Sequence, residues 1–156
     1  MRLNICAVGR LRAGPERALI DDYLKRFDRT GRALGLGPAT EHEIEDRKGG
    51  GMAAEGALLA RTIPGGAVVI ALDERGRAMT SPDFAGLLAE FRDAGRQDLA
   101  LLIGGADGLA PDLRNSADAV LSLGPMVWPH MLVRVMIAEQ LYRAASILAG
   151  APYHRA

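Results

Sequence analysis

Four short apolar runs recur along the chain, and each ends in a loop that carries glycine. They are residues 3–8 before Gly9, residues 66–72 (GAVVIAL) before Asp73-Glu74-Arg75-Gly76, residues 99–103 before Gly104-Gly105-Ala106-Asp107-Gly108, and residues 119–123 before Gly124. Runs this apolar suit strands covered on both faces. Between them lie segments of helical periodicity: residues 15–34, 52–62, 81–92 with Ser81 as its cap, a short helix after Pro111, and a long one from Pro129-His130. This alternation restricts the chain to an α/β fold, with a mainly parallel sheet and helices on both faces. Residues 38–45 read as a weaker strand near an edge. A chain of 156 residues with 49% hydrophobic content forms one domain, residues 1–156.

In such sheets ligands bind beyond the carboxyl ends of the strands. The loops at 72–76, 104–108 and 124–129 would share that edge. The last two are rich in backbone and poor in charge, which suits a flat neutral group such as adenine edged by main-chain hydrogen bonds. A triphosphate fits poorly. Arg47-Lys48-Gly49-Gly50-Gly51 lacks the ending of a phosphate-binding P-loop and reads as a mobile loop. No dinucleotide fingerprint, zinc motif, redox dithiol or serine-hydrolase elbow is present. The single Cys6 lies within the first strand, which implies packing and a reducing, cytoplasmic setting. No apolar run approaches the ~20 residues a membrane helix needs, so no membrane association is expected.

The formal net charge is zero, so bulk charge would not hold nucleic acid. The first 32 residues carry eight basic and four acidic groups. The spacings Asp21/Lys25, Asp22/Arg26 and Asp28/Arg32 assign much of that charge to a solvated helix face. In the final helix Glu139, Gln140, Arg143 and Ser146 form one polar arc, and the rest is largely apolar. Such a helix needs cover on more than one side, from the sheet and from a second subunit. Arg134 interrupts an apolar stripe with Ala138, Leu141, Ala145 and Leu148. It must find either a structural partner or a role in a ligand site or interface.

Leu102-Ile103-Gly104-Gly105, Pro129-His130, Leu132-Val133-Arg134-Val135, Glu139-Gln140-Leu141-Tyr142-Arg143-Ala144 and Pro152-Tyr153-His154-Arg155 together resemble the RlmH-type ribosomal RNA methyltransferases of the SPOUT superfamily. The resemblance implies a SPOUT-type fold with a C-terminal trefoil knot, a homodimer, and S-adenosylmethionine as methyl donor. The implied substrate is a pseudouridine in a stem-loop of 23S ribosomal RNA, methylated at N3 on the assembled ribosome, with no metal. It places the cofactor on Leu72, Gly105, Gly124, Pro125, Met126, Val127, Trp128 and Pro129. Val127 stands where many relatives carry Thr, so contacts there would come from backbone.

The imide nitrogen must lose a proton and meet the methyl group in line. His130 and His154 are the candidates for base or positioning. Arg134, Arg143 and Arg155 could hold developing charge or a phosphate, and Tyr153 could stack on a base. His130 has an equal structural reading, as a helix N-terminal residue with a satisfied ring. A non-catalytic dimeric RNA-binding module and a methyltransferase acting on transfer RNA are the alternatives.

Overall fold

The computed structural model describes residues 1–155. Five strands form one parallel sheet in the order β2-β1-β4-β3-β5. They are β1 (Arg2–Val8), β2 (Ala39–Ile44), β3 (Val68–Ala78), β4 (Asp98–Ile103) and β5 (Ala119–Ser122). The helices are α1 (Pro15–Gly31), α2 (Gly51–Ala60), α3 (Ser81–Asp93), α4 (Pro111–Asn115) and α5 (His130–Leu148). A 3₁₀ turn, Arg32–Leu34, extends α1 to the end expected from its sequence. β2 lies at an edge and is only half-buried, whereas every residue of the central β4 is buried.

Side chains alternate across each strand, and the sheet therefore has two apolar faces. Leu3, Ile5, Ile70, Leu99 and Leu101 meet Phe27 of α1, Leu88 of α3 and Leu141 of α5. Cys6, Ala71, Ala100 and Leu102 meet Leu59 of α2, with Leu113 of α4 beside them. Cys6 is fully buried, and burial pushes its thiol up from the ordinary value. It is a packing residue.

Three local expectations change. The cap of α3 is Thr80, not Ser81: Thr80 Oγ1 accepts from the Asp83 N–H at 3.2 Å, and the Asp83 carboxylate receives the Thr80 N–H. This reciprocal capping box satisfies two orphan donors at once. Asp73-Glu74-Arg75-Gly76 is not a turn that ends a strand. It is an excursion within β3: Leu72 and Arg77 both align with Leu121 of β5, and the residues between them loop out. Gly76 lets the chain return, because a Cβ there would lie 2.6 Å from the Val120 carbonyl oxygen.

The third concerns α5. Its buried residues face the sheet, and α1 and α3 flank it. Much of the cover assigned to a second subunit thus comes from the same chain. Ser146, read as part of a polar arc, is buried and donates to the Tyr142 carbonyl at 2.9 Å. On α1 only Asp22/Arg26 pairs as its spacing suggests, at 2.7 Å. Asp21 takes Arg17 instead, and Asp28 receives the Ala39 N–H at 2.8 Å. Besides Leu19 of α1, the large apolar side chains left open cluster at the start of α5 and in the loop before it: Met126, Val127, Trp128, Met131 and Leu132 are all exposed, Val127 by 85%.

Candidate functional site

The excursion within β3 and the carboxyl ends of β4 and β5 converge on a cavity of about 630 Å³. Its walls are the β3 excursion, the glycine loop after β4 and the loop between β5 and α5. Of the residues singled out in the sequence, Leu72, Gly105, Gly124, Met126, Val127, Trp128, Pro129 and His130 line it together. Pro125 belongs to the same loop but does not line the cavity.

Local geometry explains the glycines. Gly104 faces the returning chain, and a Cβ would lie 2.5 Å from the Gly108 carbonyl carbon. The loop closes through the Gly108 N–H on the Gly105 carbonyl at 3.0 Å. Gly124 has φ +106°, a conformation L side chains disfavour. Ser122 Oγ accepts its N–H at 3.1 Å and donates to its carbonyl at 3.2 Å.

Sequence reading missed the pins of the β3 excursion. The Asp73 carboxylate accepts the Arg75 N–H at 2.9 Å, and Arg114 of α4 lies 3.5 Å from it. Asp73 and Arg114 are 41 residues apart, so no spacing could reveal that pair. Glu55 of α2 was also missed; its Oε2 comes within 3.3 Å of where a Gly105 Cβ would stand. Asp73, Glu74 and Asp107 line the cavity with one arginine, Arg75. Apolar walls with more carboxylates than cations suit a cationic ligand with a flat apolar part, and repel a polyphosphate. S-adenosylmethionine is such a ligand. No group of three or more His, Cys, Asp or Glu among the described residues is placed to hold a metal ion.

The remaining candidates lie elsewhere. Arg134 is interior, 1% exposed, and paired: Nη2 is 2.8 Å from Glu43 Oε2 and 3.5 Å from Glu41 Oε2, while Nη1 donates to the Gly9 carbonyl at 3.2 Å. Burial pulls its guanidinium down from the ordinary value, and the two glutamates oppose that. The structural pair expected as one of its roles is present, and burial keeps the guanidinium from contact with an RNA phosphate. Its sequence stripe was legible; its partners on β2 were not.

Tyr153 and His154 dock near the middle of α5. Tyr153 donates to Glu139 at 2.9 Å and packs on Tyr142, with ring centroids 4.5 Å apart. Glu139 also binds Arg143 at 2.5 Å. Arg143 Nη1 is 3.3 Å from His154 Nδ1. A guanidinium can only donate, so Nδ1 accepts, and a neutral ring then carries its proton on Nε2. In this arrangement His154 offers a hydrogen-bond donor, not a base. Arg155 is exposed beyond it. Along α5 the Arg143 cluster is roughly 20 Å from His130, at about 1.5 Å per residue. Tyr153, His154 and Arg155 do not line the cavity, while Arg143 lines a neighbouring one that shares Leu121, Leu123 and Gly124 with it.

An open parallel α/β sheet with a cofactor-sized cavity at its carboxyl edge defines a class of ligand-binding enzyme folds, and the comparisons narrow it. Residues 1–154 match the model of a family described as predicted SPOUT methyltransferase, and the chain belongs to that family. It is 72% identical over 155 residues to the ribosomal RNA large subunit methyltransferase H of Roseobacter denitrificans, and 70% identical to that of Dinoroseobacter shibae. In both cases 99% of each chain is covered. A solved structure of a probable methylase family protein from Haemophilus influenzae has the same fold, with TM-score 0.52 and 12% identity over 99% of this chain and 70% of that one.

Proposed function

We propose that the protein methylates N3 of a pseudouridine in a stem-loop of 23S ribosomal RNA on the assembled ribosome, using S-adenosylmethionine. One observation carries this reading: three loops, drawn from separate parts of the chain, line one cavity with apolar walls and a carboxylate-rich rim. The full-length similarity to proteins named as large-subunit RNA methyltransferases supplies the substrate class. A ribosomal substrate puts the protein in the cytoplasm, and no helix among the described residues is long and apolar enough to cross a membrane.

S-adenosylmethionine, when bound, supplies an electrophilic methyl group. Leu72, Gly105 and the loop Gly124, Pro125, Met126, Val127, Trp128, Pro129 would hold it. His130 stands at the mouth of this cavity with no hydrogen-bond partner on its ring among the described residues, free to accept the imide proton. Arg155 and the Nε2–H of His154 would stabilise charge on the base's carbonyl oxygens, and Tyr153 would help seat it.

The separation of tail and cavity argues for a homodimer in which one copy's tail serves its partner's cavity. The exposed apolar surface of Met126, Trp128, Met131 and Leu132 beside the cavity mouth suits such a contact. The trefoil knot expected of the family belongs to the same proposal.

The test is incubation with labelled S-adenosylmethionine and either ribosomes, free ribosomal RNA or transfer RNA. Transfer to ribosomes is expected. Transfer only to transfer RNA would overturn the substrate assignment, and transfer to none would favour a binding module. Sedimentation of the purified protein reads the dimer.

A further inference from the structure

Arg134 is the largest fully buried side chain in the molecule. It stands one helical turn after His130 on the same face of α5. Its Nη1 holds the Gly9 carbonyl and its Nη2 holds Glu43. Glu43 Oε2 in turn accepts the Leu11 N–H at 2.6 Å. The segment after β1 is thus gripped twice, once directly and once through the carboxylate. Arg17 completes the cluster by binding Glu41 and approaching Glu43 at 3.9 Å.

His130 comes down on this gripped segment. Its Nε2 is 3.7 Å from the point a Gly9 Cβ would occupy, and Gly9 has φ +94°. The imidazole therefore rests over a bare stretch of backbone whose height and direction Arg134 fixes. The cluster is not arranged for maximum stability. Arg134 Nε and Glu41 Oε2 are both buried without a hydrogen bond, the latter held only by its 3.5 Å ion pair to Arg134 Nη2. A buried ion pair commonly adds little over an apolar side chain of similar volume. What it adds here is direction, because a guanidinium with two acceptors on different elements has one orientation.

We propose that Arg134, with Glu43, is a positioning residue for methyl transfer: it touches neither RNA nor donor, and it fixes His130 over the end of β1 at the mouth of the cavity. The inference rests on the proposed function, which places the reaction at that mouth.

The test combines a double-mutant cycle with a direct view of the imidazole. Arg134→Met, checked for fold by circular dichroism, should bind S-adenosylmethionine within about twofold of the parent, since none of its partners Gly9, Glu41 and Glu43 lines the cavity. Its kcat on ribosomes should fall about tenfold or more, as expected for a misplaced reacting group, with KM little changed. Arg134→Lys should recover only part, because an ammonium on a single stem cannot serve both acceptors. In a His130→Ala background, Arg134→Met should cost less than about twofold. The side-chain NMR signals of His130 should move in Arg134→Met without any substrate present.

Losses that multiply across the cycle, unmoved His130 signals, or full turnover by His130→Ala would each overturn the proposal. If Arg134→Met does not fold, Glu43→Gln keeps the shape and weakens the same grip, and it is read by the same criteria. A parent protein that fails to bind the donor or methylate ribosomes would instead sink the function, while the NMR signals still report on the positioning.

Discussion

The phenol of Tyr153 donates to Glu139 Oε1 across 2.9 Å, tying the chain's end to the middle of its longest helix. The same carboxylate binds Arg143, which reaches His154. One glutamate therefore organises three residues that sequence reading offered separately.

Replacing Tyr153 by Phe removes a hydrogen bond to a charged acceptor in a half-buried setting. Unfolding should become easier by about 1 kcal/mol, with a fold otherwise unchanged. The alkaline limb reports the same contact. Burial first, then the hydrogen bond to Glu139, pushes the Tyr153 phenol well above its ordinary value of 10.0. A folded value raised above the unfolded one gives stability that is complete below about pH 10 and fades as pH rises toward the folded value. Denaturant titrations between pH 9 and 11, at about these values, should show a shallower decline in Tyr153→Phe than in the parent.

His154→Ala should leave donor affinity within about twofold and slow methylation at least about tenfold, the usual scale for losing one charge-stabilising donor. Because Arg143 holds Nδ1 as the acceptor, Nε2 is left to donate, and His154→Gln should retain more activity than His154→Ala. Equal loss in both variants would return His154 to the list of bases.

Adjacent glycines should separate folding from binding. A Cβ on Gly104 meets backbone at 2.5 Å, so Gly104→Ala should destabilise by about 3 kcal/mol. A Cβ on Gly105 meets only side chains, Val8 Cγ1 at 3.1 Å and Glu55 Oε2 at 3.3 Å, which can yield. Gly105→Ala should fold normally and bind S-adenosylmethionine more weakly. Thermal melts and calorimetric titration of both variants decide the matter.

At the other end of the sheet Arg2 holds Asp98 with bonds of 2.8 and 2.6 Å, and Asn4 adds a third. These bonds, with Arg2 the leading cause, hold the Asp98 carboxyl below the usual range against its burial. The stability from this depression is complete above about pH 4 and is lost as pH falls through the lower folded value. Asp98→Asn should lower the melting temperature at pH 7 and make it less sensitive to acid. An unchanged acid limb would remove Asp98 from that transition.

Apolar runs with glycine loops were enough to reveal the parallel α/β architecture, because strand burial and helical periodicity are written in neighbouring residues. So was the meeting of the 104–108 and 124–129 loops at one edge, since parallel strands deliver their following loops to the same side. The lone arginine in the Arg134 stripe announced itself for the same reason: a charge among apolar neighbours is visible in one dimension. Its partners Glu41 and Glu43 were not, nor Arg114 beside Asp73, nor the looping-out of residues 73–76, because these depend on strand order and register. Tertiary structure alone decided that α1 and α3 flank α5, that Nδ1 of His154 is the acceptor, and that the tail packs on α5 without lining the cavity. Ion pairs and hydrogen bonds form between groups that folding brings within a few ångströms, and sequence distance carries no record of that separation.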